Sequence, residues 1–88
     1  MHASWVATSG RALPAGAKIY AAYLTARLTG PAQAVLYPAQ APTDKPLAVI
    51  SAPTASTRAV LFPGGVLLEA GLYVELMENA EGVLLVWD

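Results

Sequence analysis

The side chains of this 88-residue chain that could carry out catalysis are its four serines and its single histidine. Ser4, Ser9, Ser51 and Ser56 each offer a hydroxyl that a neighbouring general base could activate as a nucleophile. None of them lies in a Gly-x-Ser-x-Gly turn, which exposes the serine of many hydrolases. His2 is the only imidazole, and its position near a chain end would hold a base poorly. The sequence therefore predicts no serine chemistry.

Carboxylates and glycines are the other groups that could form a site. Paired carboxylates act as acid and base in glycoside hydrolysis. Here the glutamates surround one predicted hairpin, where exposure to solvent explains their presence. They are Glu69, Glu75, Glu78 and Glu81. Gly64 and Gly65 lack the following Lys and Ser or Thr of a phosphate-binding loop. Cysteine is absent, and the acidic residues show no zinc or calcium spacing. We predict no enzyme activity, no cofactor and no metal.

The composition favours contact with other proteins. Charged residues make up 12% of the chain and hydrophobic residues 56%, whereas a soluble domain usually has about 25% charged residues. A chain of this length buries only roughly 60–65% of its unfolded surface, so part of the apolar surface is expected to meet a partner. With a net charge of -1 and no basic cluster, nucleic acid is not an expected partner. No apolar run approaches the roughly twenty residues of a membrane helix, and no secretory signal is recognisable, so synthesis in the cytoplasm is expected.

Frequent chain breakers indicate an all-β fold. Seven prolines and seven glycines separate short segments rich in Val, Leu, Ile and Tyr. We predict a small antiparallel β-sandwich, jelly-roll-like, with seven or eight short strands. Residues 17–88 form its single domain, and residues 1–16 form an N-terminal arm or edge strand. The predicted strands cover 4–8, 17–28, 32–37, 46–52, 57–63, 65–69, 70–78 and 82–87.

The segment 17–28 is apolar on both sides. Alternation with period two places Ile19 and Tyr23 on one face and Tyr20 and Leu24 on the other. An amphipathic helix is the alternative, since the segment is rich in alanine and has apolar residues at helical spacing. Because both faces of the strand carry apolar groups, we expect one of them to meet a partner. The hypothesis is an interface formed by Trp5, Tyr20, Tyr23 and Leu24.

Other segments carry more specific predictions. The run 46–52 is continuously apolar, which is typical of a strand buried on both sides. Pro63-Gly64-Gly65 is expected to be a tight turn between two strands. In the following strand Leu72, Val74 and Leu76 should face the core, with Glu75 in water. In the last strand one face is expected to carry Val83, Leu85 and Trp87.

Aromatic residues with polar edges are the only group that could form a recognition surface. A small β-sandwich with two or three exposed rings could stack on sugars. Such rings usually act beside several Asn, Asp, Gln or Arg side chains, and this chain has one Asn. The six candidates are Trp5, Tyr20, Tyr23, Tyr37, Tyr73 and Trp87.

Across residues 17–88 the order of segments resembles the small β-sandwich head decoration, or cement, proteins of tailed bacteriophages. The resemblance lies in KIYAAYLTA, PAQAVLYPA, PLAVISAP and GVLLVWD, and above all in the Phe-Pro-Gly-Gly-Val step followed by Gly-Leu-Tyr-Val. No catalytic motif defines such proteins. The resemblance implies a virion structural protein on the capsid surface that self-associates, as a trimer by preference, and binds the major capsid protein. A tail-associated or receptor-binding module that recognises carbohydrate is the alternative.

Overall fold

The chain folds into eight β-strands and no helix in a computed structural model that describes residues 1–88. The strands are β1 His2–Val6, β2 Gly10–Leu13, β3 Ala17–Ala26, β4 Ala32–Tyr37, β5 Ala48–Ala52, β6 Thr57–Leu68, β7 Leu72–Leu76 and β8 Ala80–Trp87. None of the chain forms a helix of the length and hydropathy that crossing a membrane requires.

Two four-stranded antiparallel sheets pack face to face. Sheet A has the strand order β1-β8-β3-β6, and sheet B has the order β2-β7-β4-β5. Only β4 and β5 are both consecutive in the chain and neighbours in a sheet, so every other connection crosses between the sheets. This winding of eight strands is the jelly roll. The predicted fold class is confirmed.

The core lies between the two sheets and contains no charged or polar side chain. Leu72 and Val74 of β7 point into it, as do Val83 and Leu85 of β8, and all four are essentially inaccessible to solvent. These two strands therefore face the core as their alternation predicts.

A bulge in β3 changes which residues of that strand are buried. Ile19 pairs with Trp87 and Ala21 pairs with Val86, so β3 contains one more residue here than β8 does. A bulge of this kind shifts the alternation by one position. Ile19 and Leu24 consequently both point into the core, and the prediction that they lie on opposite faces is wrong. The helical alternative for this segment is also wrong.

The Pro-Gly-Gly step lies within a strand. β6 continues from Thr57 to Leu68, and its pairing with β3 jumps from Leu61 to Val66 across this step. Gly65 has a φ of 82°, and a Cβ there would lie 2.6 Å from Cε of Lys18. The predicted turn is therefore wrong: two left-handed glycines let one strand bulge without reversing.

The sheet edges account for the remaining differences. Residues 1–16 form β1 at the edge of sheet A and β2 at the edge of sheet B. β2, which includes Arg11, has only four residues and is too short to show a strand pattern. β5 is the other edge of sheet B, and Val49 is 52% exposed, so the prediction that 46–52 is buried on both sides is wrong.

Candidate functional site

All but one of the residues considered for catalysis are occupied by structural contacts; the exception, Ser51, is an exposed residue of β5. Ser4 Oγ accepts a hydrogen bond of 2.9 Å from the indole Nε1 of Trp87, and the ring of His2 lies 4.7 Å from that of Trp87. Ser9 Oγ accepts a hydrogen bond from the amide of Leu76. Ser56 Oγ donates to a nearby backbone carbonyl. No hydrogen bond joins a serine to the imidazole, so the groups do not form a nucleophile and its base.

The carboxylates are similarly dispersed. Glu81 pairs with Arg27 at 2.9 Å, and Glu75 accepts a hydrogen bond from Tyr37. The structure brings together no group of three His, Asp or Glu side chains that could hold a metal ion.

The outer face of sheet A is the most unusual surface of the molecule. Because Val83 and Leu85 point inward, their neighbours Leu84 and Val86 point outward, beside residues of β1 and β3. Leu61 and Leu67 of β6 are 62% and 59% exposed on the same side. We call this surface the sheet A face; it consists of Ala3, Trp5, Lys18, Tyr20, Ala21, Tyr23, Ala59, Leu61, Leu67, Leu84 and Val86.

Trp5 is held on this face by a glycine. It lies opposite Leu84 in the register of β1 and β8, and its indole rests on Gly82. Since Gly82 has no side chain, the indole occupies the space that a Cβ there would need, while Trp5 remains 52% exposed. The sequence thus builds an aromatic platform that is fixed on one side and open on the other.

Charge is almost absent from the sheet A face. Its charged groups lie at one corner: Lys18, whose Nζ lies 5.8 Å from the centroid of the Tyr20 ring, and Asp88, which lies opposite Lys18 in the ladder and pairs with the N-terminus. Thr25 and Thr57 share a hydrogen bond of 3.0 Å where the face ends. An apolar sheet face of this kind can exclude water from a contact but offers few directional groups to a small polar ligand.

Of the four predicted interface residues, three lie on the sheet A face. Trp5, Tyr20 and Tyr23 contribute to it, whereas Leu24 is 0% exposed and belongs to the core. The bulge before Ala21 explains the correction, because it moves Leu24 to the inner side. Sequence reasoning missed the exposed apolar residues of the neighbouring strands. The alternation of the strands could have identified them. When every second residue of β6 and β8 faces the core, the residues between them must face outward.

The outer face of sheet B has a different character. Tyr37 Oη donates a hydrogen bond of 3.1 Å to Glu75, and the rings of Tyr37 and Tyr73 meet edge to face at 6.3 Å. Burial raises the pKa of the Tyr37 phenol, and the hydrogen bond to Glu75 and the charge of that carboxylate raise it further. The six aromatic candidates therefore lie in three places. Trp5, Tyr20 and Tyr23 are on the outer face of sheet A, Tyr37 and Tyr73 are on the outer face of sheet B, and Trp87 is on the inner side of sheet A.

Comparison of the chain with protein-family models, with curated proteins and with solved structures finds no match.

Proposed function

We propose that this chain is a non-enzymatic structural subunit that associates with copies of itself. The observation that carries the proposal is the sheet A face, an open, nearly uncharged surface on which Trp5, Leu61 and Leu67 are each more than half exposed. Apolar surface on this scale is typical of a protein contact. Following the resemblance of residues 17–88 to head decoration proteins, the subunit would bind the outer lattice of a bacteriophage head and reinforce it.

A second copy of the chain is a suitable occupant of the sheet A face. Four strands spaced about 4.8 Å apart and about eight residues long give roughly 500–600 Å² of projected area. This is of the order of the roughly 800 Å² that each partner buries in a stable complex, once surface roughness is included. The charges that each copy would bring to the contact are Lys18 and, at the same corner, the ion pair between Asp88 and the N-terminus, so like-charge repulsion is small.

The jelly-roll topology is compatible with this role. Jelly rolls occur in viral capsid domains and also in lectins, so the fold admits both the proposed function and its alternative. A fold alone does not define function. The proposal depends on the sheet A face. The serines and the imidazole, which do not form a nucleophile and its base, are consistent with it.

Two measurements test the proposal. Sedimentation velocity of the purified chain at micromolar concentration should show a species larger than the monomer. The chain should also co-sediment with heads assembled from the major capsid protein encoded in the same genome. A monomer at every concentration, together with no binding to heads, would remove the structural role.

Carbohydrate recognition is the second candidate, because Trp5, Tyr20 and Tyr23 share one sheet face. Aromatic rings on a flat sheet can stack on sugar rings. The same face offers few hydrogen-bonding side chains, mainly Lys18 and the phenol groups of its tyrosines, which favours the protein contact. Specific binding on a glycan array that is lost in Trp5→Ala would support the carbohydrate role.

A further inference from the structure

A cleft of about 790 Å³ opens between the edges of the two sheets. β5 pairs only with β4, and β6 pairs only with β3, so each of these strands has one free edge beside the cleft. Ile50, Ala52 and Val60 line it with apolar groups, and Pro31 and Pro53 lie at the end where β4 begins. The sheets are thus left uncovered along this side.

Arg58 gives the cleft a positive charge. It is the only charged residue among those that line the cleft, and its side chain is exposed. The ion pairs of the molecule are Arg27 with Glu81 and the N-terminus with Asp88, so the Arg58 guanidinium has no carboxylate partner. A guanidinium on an apolar surface is suited to a carboxylate that arrives with apolar neighbours.

The loop between β4 and β5 carries a carboxylate that has no ion-pair partner. Thr43 Oγ1 accepts a hydrogen bond of 3.2 Å from the amide of Lys45, which forms a small turn with Asp44 at its tip. Asp44 is exposed and takes part in no ion pair. Pro42 and Pro46 flank the turn and restrict its backbone. The loop therefore presents one carboxylate on a stiff, proline-bounded projection.

The loop and Arg58 lie at opposite ends of the same strand pair, while the cleft runs along β5 from Val49 to Ala52. Leu36 pairs with Ala48 next to the loop, and Ala32 pairs with Ala52 at the end where the chain leaves for β6 and Arg58. Four residues of extended strand separate these pairs, a distance of about 13 Å. If the loop of one copy bound the cleft of another, the two copies would therefore contribute different parts of their surfaces to the contact.

We infer that the 38–46 loop of one copy docks in the β5–β6 cleft of the next copy, with Asp44 paired to Arg58. This contact rests on the proposed function and adds a second contact between subunits to the one through the sheet A face. Because its two halves differ, the contact joins copies head to tail and closes into a ring when the rotation between copies permits. Lys45 is exposed and finds no carboxylate among the residues lining the cleft, so it adds no ion pair to this contact.

Charge reversal tests the inference in the full-length chain. Arg58→Glu and Asp44→Arg should each weaken self-association in sedimentation experiments by about tenfold or more, because each places like charges together. The double variant, with both substitutions, should recover association because it restores an opposite pair. Arg11→Glu is the matched control, since Arg11 is exposed, lies on β2 and does not line the cleft. Circular dichroism would verify that each variant keeps its strands.

The outcomes separate this inference from the proposed function. Loss of association in both single variants and its recovery in the double variant support the loop contact. Association that is unchanged in Arg58→Glu overturns the loop contact while leaving the sheet A face as the contact surface. A wild-type chain that is monomeric throughout, with no binding to heads, overturns both.

Discussion

The indole of Trp5 rests on Gly82, and a Cβ at Gly82 would lie 2.7 Å from Cε2 of that indole. The carbonyl oxygen of Val6 would lie 2.8 Å from the same Cβ. Real Cβ atoms essentially never approach a neighbour this closely. The exposed ring at the edge of the sheet A face therefore depends on a glycine in the neighbouring strand.

Substitution of this glycine should displace the ring. We expect Gly82→Ala to lower the free energy of unfolding by about 1–3 kcal/mol, the usual cost of forcing a methyl group into a packed position. It should also change the fluorescence of Trp5. In a Trp5→Ala background, Gly82→Ala should lower the free energy of unfolding by less. An equal loss of stability in both backgrounds would mean that the added methyl group clashes with the Val6 backbone and not with the indole.

The hydrogen bond between Trp87 and Ser4 ties the two terminal strands together. Ser4→Ala leaves the partly buried indole N–H without its protein partner and should lower the free energy of unfolding by about 1 kcal/mol. Urea denaturation measures the change. Thr8→Ala is a suitable control because Thr8 is exposed and its hydroxyl makes no hydrogen bond within the protein. Equal stability of the two variants would contradict a stabilising role for the bond.

Stability should fall at alkaline pH because of Tyr37. Burial and the hydrogen bond to Glu75 raise the pKa of its phenol above the ordinary value of 10.0. The stabilising contribution of the neutral phenol is thus complete below pH 10.0 and is lost as the pH rises from there through the pKa of the folded protein. Ultraviolet titration of tyrosinate in the wild type and in Tyr37→Phe isolates this group. A Tyr37 that ionises at or below pH 10.0 would contradict the assigned cause.

Core and surface positions of β3 and β6 should differ sharply in their response to truncation. Leu24→Ala should lower the free energy of unfolding by about 2–5 kcal/mol, because it leaves a cavity at a fully buried position. Leu61→Ala should cost much less when measured on dilute protein, since Leu61 is largely exposed. Chemical denaturation of both variants checks the comparison. If Leu61→Ala lowered the free energy of unfolding as much as Leu24→Ala, the assignment of Leu61 to the surface and Leu24 to the core would be contradicted.

The fold class was predictable because chain breakers and alternation are local signals. The strand of Leu72 and Val74 shows both signals and was predicted with the correct inward face. The phase of β3 was not predictable, because the bulge before Ala21 depends on its pairing with both β8 and β6. In the same way, the pair Gly64-Gly65 can either reverse the chain in a turn or form a bulge within a strand, and the local sequence does not distinguish the two.

The candidate surfaces show the same division. Leu24 was proposed as an interface residue with Trp5, Tyr20 and Tyr23 because both faces of the 17–28 segment carry apolar groups. The bulge in β3 places Leu24 in the core and leaves the three aromatic residues on the sheet A face. Leu61 and Leu67 join them only because β6 lies beside β3 in sheet A. Strand order is a property of the whole chain. It is also what places the unpaired Arg58 beside β5.

The most direct test of the central claim is sedimentation equilibrium of the wild type beside the double variant carrying Leu61→Asp and Leu67→Asp. Leu28→Asp is the matched control, because Leu28 is an exposed leucine in the loop after β3 and lies away from the sheet A face. We predict that the control associates like the wild type, and that the double variant associates at least about tenfold more weakly because it buries charge in the contact. Equal association of all three proteins would contradict the claim that the sheet A face is a self-association surface.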